Sequence, residues 1–438
     1  MHQVCFTANI AKMYRHIKVH PLDRRFQRIV WRKSPDEPLQ ESELTTLTYG
    51  TASAPFLATR CLHKLAIEEG QNFPRATEVL DRDCYVDDCI SRSQTVEEAM
   101  AVQKELVQLL SKGGCLLRKW CSNEPQFLEA IPNELRGTRY PLQLEDKTHV
   151  TTLGLLWHTT DDKFQIVNEI TASNSIHFTK RNFLAVIASV YDPLGLISPI
   201  VVTCKFFLQQ LWQARIDWDD PLPQGLLADW KALYAQLPLL GNIRIERKVL
   251  INGTPTDIQL HGFCDASEKG YGACIYLRSR TFNEDSVVKL LCAKSRVAPL
   301  KQVSLPRLEL CGALLLVRLL KRTILALNLS ITAINLWTDS TIVLSWITSP
   351  PGRWKTFVAN RVTEIQEESS LDQWRHVPSA QNPADLISRG VTPEALVADN
   401  LWWRGPSWLS PTSSLWPSMH HQHAAANIPE ARKPVSTF

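Results

Sequence analysis

The stretch CYVDDCIS at residues 84–91 sets two adjacent carboxylates, Asp87 and Asp88, inside a run that otherwise reads as a β-hairpin. Tyr85 and Val86 favour strand, and Cys89 and Ile90 resume the apolar pattern after the charges. Carboxylates side by side at a hairpin tip repel each other unless a cation lies between them. The pair therefore marks a candidate metal site on a strand end, in a fold built from both strands and helices.

At 438 residues the chain exceeds one ordinary core, so two or three domains are expected. With 44% hydrophobic and 21% charged residues it is globular rather than disordered. The net charge of +4 does not identify a nucleic-acid binder, although RRFQRIVWRK (24–33) gathers five cations without an acid. Such a run is most simply a solvated face. Eleven cysteines with no CxxC pair suit reduced thiols and argue against a disulfide scaffold or a zinc finger. No apolar run reaches membrane-spanning length, and the N-terminus lacks a signal-peptide layout. A soluble protein of the cytosol or nucleus, with no membrane partner, is expected.

The fold class is α/β, in four parts. Residues 1–160 alternate strand and helix: QVCFTANI (3–10) is a strand, 45–66 a turn and helix, 95–110 a helix after the carboxylate hairpin, and GGCLLRKWCSN and TTLGLLW are strand-like. Residues 161–250 read as a helical segment of their own, with Thr179 as an N-cap and Ser198-Pro199 as a cap and first turn. Residues 255–395 return to alternation, with three strands, a long helix, a strand and further helices around a mixed sheet. Residues 396–438, rich in Pro, Ser and Trp and carrying HHQH at 420–423, read as a linker or tail.

The third part holds four acids at strand ends and helix starts, where an α/β fold sets its active-site rim. Asp265 comes late in a strand whose residues Ile258, Leu260 and Cys264 face the other way. Glu309 falls in the first turn of the long helix, Asp339 ends a strand before a helix, and Asp385 opens a helix after Asn-Pro. Each alone reads as a cap or surface charge. Together they suit hard divalent cations, two of which, about 4 Å apart, activate water and stabilise the leaving oxygen in phosphodiester cleavage.

At these residues the sequence resembles the ribonuclease H domain of retroelements, in GFCDASEKGYGACIYLR, LPRLELCGALL, LWTDSTIVLSWI and HVPSAQNPADLISRG. Upstream, TANIAKMYRHIKVHPLDRRFQRIVWR, YGTASAPF, YVDD and KTHVTTLGLLW look like reverse-transcriptase palm motifs. The wording of NFLAVIASVYDPLGLISP and LWWRGPSWL is similar to the Pao (Bel–Pao) class of LTR retrotransposon polyproteins.

The resemblance implies a palm lacking its fingers, a helical thumb or connection, and a nuclease domain. Asp265, Glu309, Asp339 and Asp385 would be the nuclease's ligands for Mg²⁺ or Mn²⁺, acting on the RNA strand of an RNA–DNA hybrid. Asp87 would be a polymerase metal ligand and Asp88 an auxiliary one, with Gly50, Ser53 and Pro55 along the template and Lys119 toward nucleotide phosphates. The position of a third polymerase aspartate is Asn9, so an impaired polymerase is expected. Partners would be a hybrid or template-primer and other segments of a polyprotein. A histidine that related nucleases carry after Val-Pro is absent here, where Ser379 follows Val377-Pro378 and His376 precedes them.

Overall fold

The computed structural model describes residues 2–137, 149–152, 155–167, 178–282, 286–410, 416–417 and 428–432. The chain divides into two units, Met1–Thr152 with Leu156–Lys163, and Leu153–Leu155 with Phe164–Phe438. The HHQH tract and parts of the expected strand at 151–157 and helical stretch at 165–240 lie outside the described residues.

In the first unit the alternation of VCFTANI makes Val4–Ile10 (β1) a central strand. Two exposed strands, Arg28–Trp31 (β2) and Gln40–Glu43 (β3), form a separate ribbon. There Arg28 pairs with Glu41 at 2.7 Å and Glu43 at 3.3 Å, so the cation run acquires acids in space. Cys84–Tyr85 (β4), Asp88–Ser93 (β5) and Leu117–Ser122 (β6) join β1 in an antiparallel sheet of order β4-β5-β1-β6. Ala54, Ala58, Leu62 and Ala66 recur every fourth residue of Ala54–Glu69 (α1), giving it one buried stripe. That stripe joins Pro74–Arg82 (α2), Val96–Lys112 (α3) and Phe6, Ile10, Leu117 and Trp120 of the sheet in one core. Helices therefore cover one sheet face, and polar residues of β1 such as Asn9 belong to the other.

The second unit is built on a five-stranded sheet. Its strands are Asp257–Ala266 (β7), Gly270–Arg280 (β8), Ser286–Val297 (β9), Ala333–Thr338 (β10) and Trp374–His376 (β11), in the order β9-β8-β7-β10-β11. The β7–β8 and β8–β9 pairings are antiparallel, whereas β7–β10 and β10–β11 are parallel, so the sheet is mixed. Leu260, Cys264, Ala273 and Ile275 bury one face under Leu305–Leu327 (α7), Thr341–Ile347 (α8) and Thr356–Glu368 (α9).

Phe263, Cys274, Tyr276 and Trp337 bury the other face. It is covered by Lys180–Ser189 (α4), Ser198–Gln213 (α5) and Gln224–Gln236 (α6) from before the sheet, and by Asp385–Arg389 (α10) and later residues from after it. Residues 161–250 consequently have no core of their own among the described residues. Their Ile200, Phe207, Leu211 and Trp230 pack into the same cluster as the sheet. The tail reading fails up to residue 409 for a similar reason. Helices Pro393–Ala398 (α11) and Asn400–Arg404 (α12) follow, and Trp402 and Trp408 are buried. Their indole N–H groups donate to the Leu196 carbonyl and to Gln381, both at 2.8 Å.

Two caps differ in detail from the sequence reading. Thr179 does cap α4, accepting from Asn182 N–H. Ser198 is already helical, with Ile197 as its cap residue, and the backbone ahead is held by Asp192, whose carboxylate accepts from Leu196 and Ile197 N–H at 2.7 and 2.9 Å. The long helix begins at Leu305 behind Ser304, which puts Glu309 in the second turn rather than the first.

His261 on β7 is fully buried among aromatic rings, stacked against Trp337 and edge-on to Trp416. Its Nδ1 accepts from the Trp337 indole at 3.4 Å, which leaves Nε2 to donate to Gln259 at 3.2 Å. Burial, with Arg278 and Arg375 nearby, pushes its pKa down to about 3. The unfolded chain gains a proton below about pH 6.5 that the folded chain does not. Stability is thus full above that pH and falls on acidification by up to about 1.4 kcal/mol per pH unit from this residue. Denaturant titrations between pH 7.5 and 5 should show a shallower acid loss for His261→Asn than for the parent. Equal slopes would remove His261 as the cause.

Candidate active site

Two acidic clusters were expected, and their geometries differ. In the first unit β1 pairs with β5 so that Asn9 lies opposite Asp88, while the two-residue turn Val86-Asp87 closes the hairpin. Val86 adopts φ 57°, a left-handed conformation that costs a β-branched residue about 1–2 kcal/mol. The turn is fastened to β1 by Ile10 N–H donating to the Asp87 carbonyl at 2.7 Å. Asn9 Nδ2 then donates to both carboxylates, to Asp87 at 2.9 Å and to Asp88 at 3.0 Å. An amide N–H thus stands where shared negative charge would otherwise draw a cation, and this donor set does not fit a two-metal centre.

On the other side of Asn9 the register partner is Arg118, whose Nε is buried without a hydrogen-bond partner. The sequence did not single out Arg118. What brings it level with Asn9 is a bulge in β6, where Lys119 sits at φ 57° and is exposed. Gly50 lies in a turn at φ 90°, and Ser53 and Pro55 open α1, all three exposed. Among the described residues no hydrogen bond or ion pair joins them to the Asn9–Asp87–Asp88 cluster.

In the second unit the parallel register places Cys264 beside Thr338, so the residues that follow, Asp265 and Asp339, leave neighbouring strands at the same sheet end. Asp265 is buried and accepts from Ser388 Oγ at 2.5 Å. Burial lifts its pKa to about 7, opposed by the Ser388 hydrogen bond and reinforced by the negative charges of Asp339 and Asp385. Glu309 accepts from Ser340 Oγ at 2.5 Å, and burial, with Asp339 adding to it, raises its pKa too. Asp385 is half-buried and takes Arg389 Nε at 2.5 Å. Asp265 therefore feels Asp339 and Asp385, and Glu309 feels Asp339, although the four acids come from β7, α7, the end of β10 and α10.

Residues that the sequence reading passed over hold this end together. Asn382 is buried and donates to the Cys264 carbonyl at 3.0 Å while accepting from Ala384 N–H at 3.1 Å, which ties the start of α10 to β7. A Cβ on Gly272 would stand 2.2 Å from Ile387, so only glycine lets α10 approach β8 this closely. Ser340 both caps α8, through Val343 N–H, and holds Glu309. His376 pairs in register with Thr338, next to Asp339.

The donor chemistry here, hard carboxylate oxygens of which those of Asp265 and Glu309 are held above the usual carboxylate range, fits divalent cations such as Mg²⁺. Among the described residues no three His, Cys, Asp or Glu side chains stand close enough to grip one ion in this arrangement. Ser388, Ser340 and Arg389 occupy the carboxylates instead. No helix among the described residues is long and apolar enough to cross a membrane.

Residue 9 offers a direct test of the first cluster. In Asn9→Asp a third carboxylate replaces the clamping amide, and the thermal midpoint in a chelator should drop, equivalent to about 1–3 kcal/mol. Millimolar Mg²⁺ should raise the midpoint of the variant by more than that of the parent. A variant as stable as the parent in the chelator would contradict the clamp.

Comparison with known proteins bears on part of the second unit. Residues 179–340 match the family model described as the Pao retrotransposon-like RNaseH-like domain, a segment that includes Asp265, Glu309 and Asp339. No curated protein matches the chain. Among solved structures, the foamy viral protease-reverse transcriptase dRH in complex with dsDNA is 16% identical, with a TM-score of 0.48, over 86% of this chain and 56% of that one. The foamy viral protease-reverse transcriptase in complex with dsDNA is also 16% identical, with a TM-score of 0.46, over 86% of this chain and 68% of that one. The chain thus spans little more than half the length of the first of these. By the family match, residues 179–340 are similar to the RNaseH-like domain of Pao retrotransposons.

Proposed function

We propose that the second unit is a nuclease that hydrolyses the RNA strand of an RNA–DNA hybrid, and that the first is a polymerase-like module disabled at Asn9. The observation that carries the reading is the convergence of four acids at one end of the mixed sheet, with Asp339 and Asp385 helping to raise the Asp265 pKa to about 7. The family match over 179–340 supports it. Asp265, Glu309, Asp339 and Asp385 would hold Mg²⁺ or Mn²⁺. When bound, such ions supply charge neutralisation, an activated water and stabilisation of the leaving oxygen.

The chain's own residues prepare the site. Ser388 orients Asp265 and Ser340 orients Glu309, each through a hydroxyl that favours the charged carboxylate. Arg389 balances Asp385 until a cation competes for the same oxygens. Recognition of the hybrid would draw on the 2′-hydroxyls of the RNA strand. In the first unit Gly50, Ser53 and Pro55 would contact the template and Lys119 the nucleotide phosphates. Asp87 and Asp88 would remain below the charge that a two-metal centre needs.

A second reading, hybrid binding without cleavage, is favoured by the present engagement of Asp265, Glu309 and Asp385 with local partners. The experiment that separates the two is cleavage of an end-labelled hybrid in Mg²⁺ or Mn²⁺ beside Asp339→Asn. The nuclease reading expects cutting by the parent and a loss of about 100-fold or more in the variant. Equal cutting by the two proteins overturns it. Salt-sensitive hybrid affinity with no cutting by either selects the binding reading.

A further inference from the structure

The hairpin that carries Asp87 and Asp88 is flanked by two cysteines whose placement the polymerase-like reading does not use. Cys84 and Cys89 are register partners across β4 and β5. One step further from the turn, Ile90 N–H donates to the Asp83 carbonyl at 2.8 Å, which makes Asp83 and Ile90 a hydrogen-bonded pair. Alternation along an antiparallel ladder then makes Cys84 and Cys89 a non-hydrogen-bonded pair, the class with Cα atoms about 4.5 Å apart and side chains closest. That separation falls inside the span of about 4.4–6.8 Å that a disulfide bridges.

Both side chains lie on the same face, toward the helices, where Cys89 is fully buried and Cys84 packs at the edge of the core. The neighbouring Cys84 and burial hold the Cys89 thiol well above its usual range, so Cys89 stays protonated until the mixed disulfide forms beside it. Cys84 is partly accessible and Cys89 is not, so the pair divides into an attacking thiol at the surface and a resolving thiol behind it.

We propose that Cys84 and Cys89 are a redox-sensitive pair that closes into a cross-hairpin disulfide when the chain meets a small-molecule disulfide such as oxidised glutathione. Cys84 sulfur attacks one sulfur of glutathione disulfide, forming a mixed disulfide and releasing one glutathione thiol. Cys89 sulfur attacks the Cys84 sulfur, breaking that mixed bond and releasing the second. The protein loses two protons and two electrons, and both pairs appear in the two reduced glutathiones. The closed ring spans the turn at Val86-Asp87, so its left-handed residue and the carboxylates beside it lose the freedom to rearrange. The proposal is independent of whether the second unit cleaves hybrids.

Trypsin releases both cysteines on one peptide, Asp83–Arg92, which makes the test direct. The full chain is equilibrated with mixtures of reduced and oxidised glutathione, alkylated and digested. The expected result is an Asp83–Arg92 peptide that carries no alkyl label and is two hydrogens lighter, formed at ratios where the exposed Cys61 is still labelled. In Cys89→Ser the same treatment should leave Cys84 as a stable glutathione adduct, and in Cys84→Ser, a change at the less buried position, Cys89 should stay reduced. Four outcomes overturn the proposal. They are full labelling of both cysteines throughout, an adduct on Cys84 of the parent that does not close, a link between Cys61 and Cys115 formed first, or oxidation of Cys89 in Cys84→Ser.

Discussion

The parallel pairing of β7 with β10 is the constraint on which the second unit depends. Had β10 run antiparallel, Asp265 and Asp339 would leave opposite ends of the sheet. A parallel partner demands a crossover, and α7 supplies it, packing Leu310, Leu316 and Leu320 on Leu260 and Ile275 of the sheet. The same crossover delivers Glu309 to Ser340 at the head of α8. One pairing therefore fixes three of the four acids. The fourth arrives because Asn382 and Gly272 let α10 lie against the same strands.

Crowding four carboxylates on one rim costs stability when no counter-charge is present, and the pattern of hydrogen bonds shows how the fold bears it. Serines take two of the acids and an arginine a third. The first unit solves the same problem differently. There one amide donates to two carboxylates at once, and a positively charged Arg118 lies level with it across β1. Hydroxyl and guanidinium partners leave all four carboxylates of the second unit in place as oxygen donors. The Asn9 amide removes a ligand as well as supplying donors, so that change is not reversed by adding metal.

Much of this was legible in the sequence because the governing signals are local and periodic. Strand-like runs marked β1, β7 and β10, the turn-then-helix reading of 45–66 overlaps α1, and the four acids read at element ends lie toward one end of the mixed sheet. What escaped were contacts between residues far apart in the chain. Arg118 reaches Asn9 only through a bulge, and Asn382 looks like an ordinary residue of an Asn-Pro turn until its amide meets Cys264. Residues 161–250 read as a helical segment of their own because nothing in their amphipathic pattern says which apolar surface they will meet. Trp402 and Trp408 were placed in a tail by composition, since proline, serine and tryptophan occur both in linkers and in closely packed coil. Their indole hydrogen bonds to Leu196 and Gln381 decided the matter in space.

The second face of the mixed sheet is closed by helices that precede it and by residues that follow it. During synthesis α4 to α6 emerge before any strand exists to receive them. Phe263, Tyr276 and Trp337 then wait uncovered on one side until Trp408 and Leu409 leave the ribosome. For that interval the nascent chain presents an aromatic surface to its surroundings, which is the circumstance in which chaperones bind and misassembly begins. A chain halted between residues 340 and 384 would carry three of the four rim acids, Asp265, Glu309 and Asp339, with this face of its core still open.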